Sequence, residues 1–112
     1  MPNASEAEVT DEKILEYLLA ENHPAGRSKA RFLMRLGFGE ADPQALRDAL
    51  LKIAQEGQVV AEVHSRFGTK YIVDGYLQGL AGSAWVRTVW IVDRGTIVPR
   101  LVTAYPASGP GK

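Results

Sequence analysis

The chain contains no cysteine, which excludes disulfides, thiolate metal sites and cysteine nucleophiles and fits a reducing compartment. Histidine is scarce: His23 and His64 are the two, and their separation matches no metal-binding spacing, so neither a metal nor another cofactor is expected. Excess charge is missing as well. Lysine plus arginine and aspartate plus glutamate each number 13, and a net charge of zero gives no overall pull toward nucleic acid or an anionic membrane. No apolar run approaches the roughly 20 residues of a membrane span. The opening MPNASEAEVTDEK is too polar and acidic for a signal or transit peptide. Walker-type phosphate loops, dinucleotide fingerprints and nucleophile elbows are all lacking. These absences lead to the expectation of a soluble, cytoplasmic protein with no membrane partner.

What is present suits one domain. A chain of 112 residues, 46% of them hydrophobic, buries roughly two thirds of its unfolded surface without needing covalent staples. Residues 1–9 and 107–112 have no apolar face and read as flexible termini, leaving a single folded unit at 10–106. Charge is unevenly spread: residues 58–112 hold six basic and three acidic side chains, against seven and ten in residues 1–57. The second half is therefore locally basic.

Helical periodicity fills the first half. Ile14, Leu15, Leu18 and Leu19 recur at helical spacing after Thr10, a capping residue followed by Asp11 and Glu12 in the first turn. A second helix is expected from Ser28 to a stop at Gly37. The third is the clearest, with Asp42 as cap, Pro43 at the first helical position, a stripe of Leu46, Ala49, Leu50 and Ile53, and Gly57 at the end. From Gln58 the pattern changes to β-branched and aromatic residues. QVVAEVHS, TKYIVDGYLQ, AWVRTVWIVD and VPRLVTAYP read as four strands with short connections. Short connections favour antiparallel neighbours. The fold class is thus α+β: three N-terminal helices packed on a C-terminal four-stranded antiparallel meander sheet.

Polar residues on the last two strands are the candidates for function. Strict alternation places Leu101, Thr103 and Tyr105 on one face and Arg100, Val102 and Ala104 on the other, with apolar groups on both, so both faces are expected to be buried or nearly so. Arg87 and Arg100 have two readings. They are solvent-facing or paired with Asp74 or Asp93, or they form an anion-binding pair whose fixed donors suit phosphate oxygens. Thr103 and Tyr105 either cover the sheet edge or hold a phosphate and move protons. His23 and Lys29 flank the start of the second helix, where free backbone N–H groups favour an anion, and the competing reading there is a plain connection with a solvated lysine. Trp85, Trp90, Phe67, Tyr71 and Tyr76 are expected mostly in the core, the alternative being a stacking platform for single-stranded nucleic acid.

Two segments, YLLAENHPAGRSKARFLMRLGF and GTKYIVDGYLQGLAGSAWVRTVWIVDRGTIVPRLVTAYP, resemble a bacterial family, the domain of unknown function 6883. The resemblance covers nearly all of residues 14–106. It implies occurrence both as free-standing proteins and at the C-termini of large secreted proteins of the polymorphic-toxin type. More loosely, helices followed by a four-stranded sheet ending in Thr-x-Tyr-Pro are similar to the metal-independent ribonuclease toxins grouped around barnase, RelE and the colicin ribonucleases. That likeness implies RNA as substrate and a catalytic set of His23, Arg87, Thr103 and Tyr105, with Lys29 and Arg100 binding phosphate. The rival expectation is a non-enzymatic interaction module, antitoxin-like or immunity-like, with a cognate partner protein. A single-strand nucleic-acid binder without chemistry is the third.

Overall fold

A computed structural model describes residues 1–15 and 27–107, with side chains from residue 30 in the second segment. A 3₁₀ turn at Ala4–Glu6 precedes α1 (Asp11–Lys13), α2 (Arg27–Arg35) and α3 (Pro43–Glu56). Four strands follow, β1 (Gln58–Ser65), β2 (Gly68–Gln78), β3 (Ser83–Asp93) and β4 (Arg100–Pro106). They form one sheet in the order β1-β2-β3-β4, each pair antiparallel. The expected α+β meander is the observed one.

Local chemistry explains the helix ends. The Thr10 side chain accepts from the Lys13 N–H at 3.1 Å, and Asp42 accepts from the Ala45 N–H at 3.3 Å with Pro43 beside it, so both caps satisfy donors that a helix start leaves free. After α2, Gly37 adopts φ 102°. There the Gly37 N–H bonds to Met34 and the Phe38 N–H to Leu33, a reversal that glycine makes without strain. The expected cap at Ser28 is not where α2 begins, since the helix already includes Arg27.

The helices cover one sheet face. Leu46, Leu50 and Ile53 of α3 are buried with Val73, Leu77, Val86 and Trp90 of the sheet. Fully burying such a side chain contributes about 1.5–3 kcal/mol. Close approach requires small residues beneath: a Cβ on Gly75 would lie 3.2 Å from Ile53, and one on Gly79 only 2.0 Å from the Leu36 carbonyl oxygen. Within this face the Thr88 hydroxyl donates to the Val73 carbonyl at 2.6 Å and accepts from Trp90 Nε1 at 2.7 Å.

Three sequence expectations need correction. The folded unit reaches further toward the N-terminus than residue 10: Val9 is buried, and Glu8 exchanges backbone hydrogen bonds with Pro99 and Leu101 along the outer edge of β4. Those contacts are backbone pairings and carry no side-chain period. Among the aromatics, Trp90 and Tyr71 are core, but Trp85 is half-buried on the uncovered face and Phe67 and Tyr76 are exposed. Nor is β3–β4 covered on both sides, because α3 lies on one face and no described element lies on the other.

Candidate functional site: the uncovered sheet face

The register decides which side chains share the uncovered face. Between Val89 and Trp90 the β3–β4 pairing slips by one residue: Val89 is opposite Thr103, whereas Trp90 is opposite Leu101, so Val102 is bulged out. A bulge reverses the phase of alternation along its strand. Arg100, Thr103 and Tyr105 therefore all lie on the uncovered face, and Leu101 and Ala104 both turn inward and are buried. Strict alternation had divided these residues differently, placing Thr103 and Tyr105 with Leu101. Opposite them stand Ile91, Val89 and Arg87. Four of the six candidate residues are thereby brought to one surface.

Their partners are specific. Arg87 donates from Nε and Nη2 to the two carboxylate oxygens of Asp74, each at 2.9 Å, from the neighbouring strand position that the register sets opposite it. The Asp74 side chain is almost fully buried and that of Arg87 is 39% exposed, so the carboxylate depends on this fork for charge compensation. The hydrogen bond from Arg87 to Asp74 is the chief cause that holds the guanidinium above its ordinary range, with Tyr105 a lesser one. Arg100 makes a second fork, to Asp93 at 2.7 and 3.2 Å. That bond holds the Asp93 carboxyl below its ordinary value and raises Arg100. Both arginines are thus paired with the aspartates named as alternatives in the sequence.

Arg87 and Tyr105 nevertheless share a wide, shallow depression of about 510 Å³, closed by Pro106 and Ala107. Further along the face, Tyr76 and Trp85 meet edge to face with centroids 4.8 Å apart at 76°, and Tyr76 is 60% exposed. The pair rims a notch of about 320 Å³ between α3 and β2 that also takes in Lys52, Glu56, Gln58 and Asp74. Sequence reasoning placed these aromatics mostly in the core and offered an exposed platform only as the alternative. The signal was available in the alternation, since Tyr76 and Trp85 share a parity with Asp74 and Arg87.

His23 lies outside the described residues. Lys29 falls in the first turn of α2, and its side chain is likewise outside them. His64 is on β1 and points to the opposite side of the sheet, where Nε2 is 3.0 Å from Glu62 Oε2 and Nδ1 is 3.2 Å from Thr69 Oγ1. No described histidine shares the face of Arg87 and Tyr105. Among the described residues, no three histidine or carboxylate side chains come together as a metal site, and no helix is long and apolar enough to cross a membrane.

The family model for the domain of unknown function 6883 matches residues 1–108. The chain belongs to this family. No curated protein matches it. Among solved structures it is similar to a chain of a contact-dependent growth inhibition toxin–immunity protein complex from Klebsiella pneumoniae 342. The likeness has a TM-score of 0.76 at 15% identity and covers 95% of this chain and 97% of that one. At such low identity the likeness concerns the fold.

Proposed function

We propose that this member of the family is a protein-interaction module of the toxin–immunity kind and docks its partner on the uncovered sheet face. One observation carries the reading: both arginines of that face are already neutralised by bidentate aspartates. An anion entering here would have to displace a carboxylate and leave Asp74 buried without its counter-ion, which is costly. A protein partner needs no such displacement. The Tyr76–Trp85 pair and the half-buried Ile72, Val89 and Ile91 supply the aromatic and aliphatic area of an interface centre, and ion-paired arginines suit its rim. The Klebsiella pneumoniae fold relative, found in a toxin–immunity complex, is consistent with that class of partner.

A metal-independent ribonuclease is the second reading, favoured by the depression that holds both Arg87 and Tyr105. In that reading Arg87 and Arg100 stabilise phosphate charge, His23 or Tyr105 moves the proton, Thr103 orients the scissile group and Lys29 adds a phosphate contact. It requires a proton acceptor, and the described part of this face supplies no histidine and only carboxylates already engaged by arginine.

The test titrates the purified protein with the products of the genes flanking its own, alongside incubation with cellular RNA in chelator. A stoichiometric complex lost in Tyr76→Ala with Trp85→Ala, both variants staying folded, is the expected outcome. Cleavage of RNA by the native chain, lost in folded Arg87→Ala and Tyr105→Phe, would replace this reading with the ribonuclease.

A further inference from the structure

The two edges of the sheet are treated differently. Along β4 the segment at Glu8 bonds to Pro99 and Leu101, and prolines stand at positions 99 and 106, so that edge is partly paired and partly blocked. Along β1 no described segment pairs. This strand has no proline or lysine, and Val59, Val60 and Val63 are 41%, 43% and 51% exposed. An apolar edge left open in this way is a template for another strand.

The free backbone groups can be identified. The Ala107 N–H bonds to the Trp85 carbonyl, and the Arg94 N–H to that of Phe67, so odd-numbered residues of β3 turn their backbone groups toward β4 and even-numbered ones toward β2. Carried through the registers of β2–β3 and β1–β2, the same alternation turns Ala61 and Val63 toward β2 and leaves the N–H and C=O of Glu62 and His64 facing outward. A second copy of β1 running antiparallel about a twofold axis can meet these groups in three registers. One sets Glu62 against the partner's Glu62, another His64 against the partner's His64. The third sets Glu62 against the partner's His64 on both sides of the axis, with Val63 against the partner's Val63.

We propose that a second copy of this chain adds to the free edge of β1 in the third register, forming an eight-stranded sheet across a twofold axis through Val63. Charge selects it. Glu62 and His64 already attract each other within one strand, Nε2 to Oε2 at 3.0 Å, and the twofold repeats that attraction between strands, whereas the other two registers place like groups face to face. The dimer is isologous and closed, so it does not propagate into a fibre. It leaves Arg87, Tyr76 and Trp85 uncovered and stands independently of the docking face.

Sedimentation across a concentration series, combined with single cysteines, tests both the dimer and its register. The native chain has no cysteine, so each introduced thiol reports only itself. Val63 is the non-hydrogen-bonded pair on the axis, with Cα atoms about 4.5 Å apart, within the range of a disulfide. Val63→Cys is expected to cross-link at least several-fold faster than Glu62→Cys or His64→Cys. Glu62→Lys is expected to raise the dimer dissociation constant about tenfold, and Glu62→Lys with His64→Glu to restore it. A chain that sediments as a monomer at every concentration overturns the proposal. So does faster cross-linking at position 62 or 64 than at 63.

Discussion

Replacing Thr88 by valine keeps the shape of a fully buried side chain and removes only its hydroxyl. That hydroxyl links two groups, donating to the Val73 carbonyl at 2.6 Å and accepting from the Trp90 indole at 2.7 Å. The Val73 carbonyl keeps its place in the β2–β3 ladder, where Val73 stands opposite Thr88. Trp90, with no exposed surface, has no water to turn to. Stranding its N–H costs about 1–3 kcal/mol, and the lost bond to Val73 adds about 1, less the benefit of burying a methyl group. The expected destabilisation is about 2–3 kcal/mol, a large share of the roughly 5–15 kcal/mol that holds a domain together. For a chain of this length that lowers the melting temperature by roughly 8–12 °C. Urea unfolding of Thr88→Val, Trp90→Phe and the double variant measures it. Removing both partners leaves nothing stranded, so the double variant should fall short of the summed single losses by about 1 kcal/mol or more. A Thr88→Val protein within about 0.5 kcal/mol of the native chain would refute the reasoning.

Arg87→Ala should lower the melting temperature because Asp74 is then left buried without its counter-ion, and Arg87→Lys, which keeps the charge but not the fork, should lower it less; an unchanged melt for both would remove the structural role. Gly79→Ala drives a methyl group into the Leu36 carbonyl and is expected to cost about 3 kcal/mol by chemical denaturation. Asp93 and Glu62 are both held below their ordinary values, the first chiefly by Arg100 and the second chiefly by the hydrogen bond to His64. Their contributions are complete above the ordinary carboxylate range and disappear as pH falls through the lowered folded values, so the gap in melting temperature between the native chain and Asp93→Asn should close on the acid side.

The strands were legible because each part of the signal agreed: β-branched runs, short turns and, for β1, the same bounds as the expectation, Gln58–Ser65. Helix ends were legible where a side chain makes the cap, as at Thr10 and Asp42. The opening segment was not, because Glu8 is held through its backbone, and a backbone bond has no residue preference to read. For the candidate site, parity alone could place Arg87 and Asp74 together, and both arginine–aspartate pairs were foreseeable as alternatives. The common face of Arg100, Thr103 and Tyr105 was hidden. A bulge depends on how two strands meet, and nothing in VPRLVTAYP marks Val102 as the residue that is passed over.

That extra residue gives the face an unusual route of change. Any substitution alters one side chain, but regular pairing that takes Val102 into the ladder would exchange the inward and outward sets beyond it at a stroke. With Leu101 held against Trp90, Val102 would then face Val89, Thr103 would take the inward position of Ala104 opposite Thr88, and Ala104 would turn outward opposite Arg87. The face that β4 presents therefore depends on its register against β3 as well as on its composition, and the same residues paired without the bulge would present a different one.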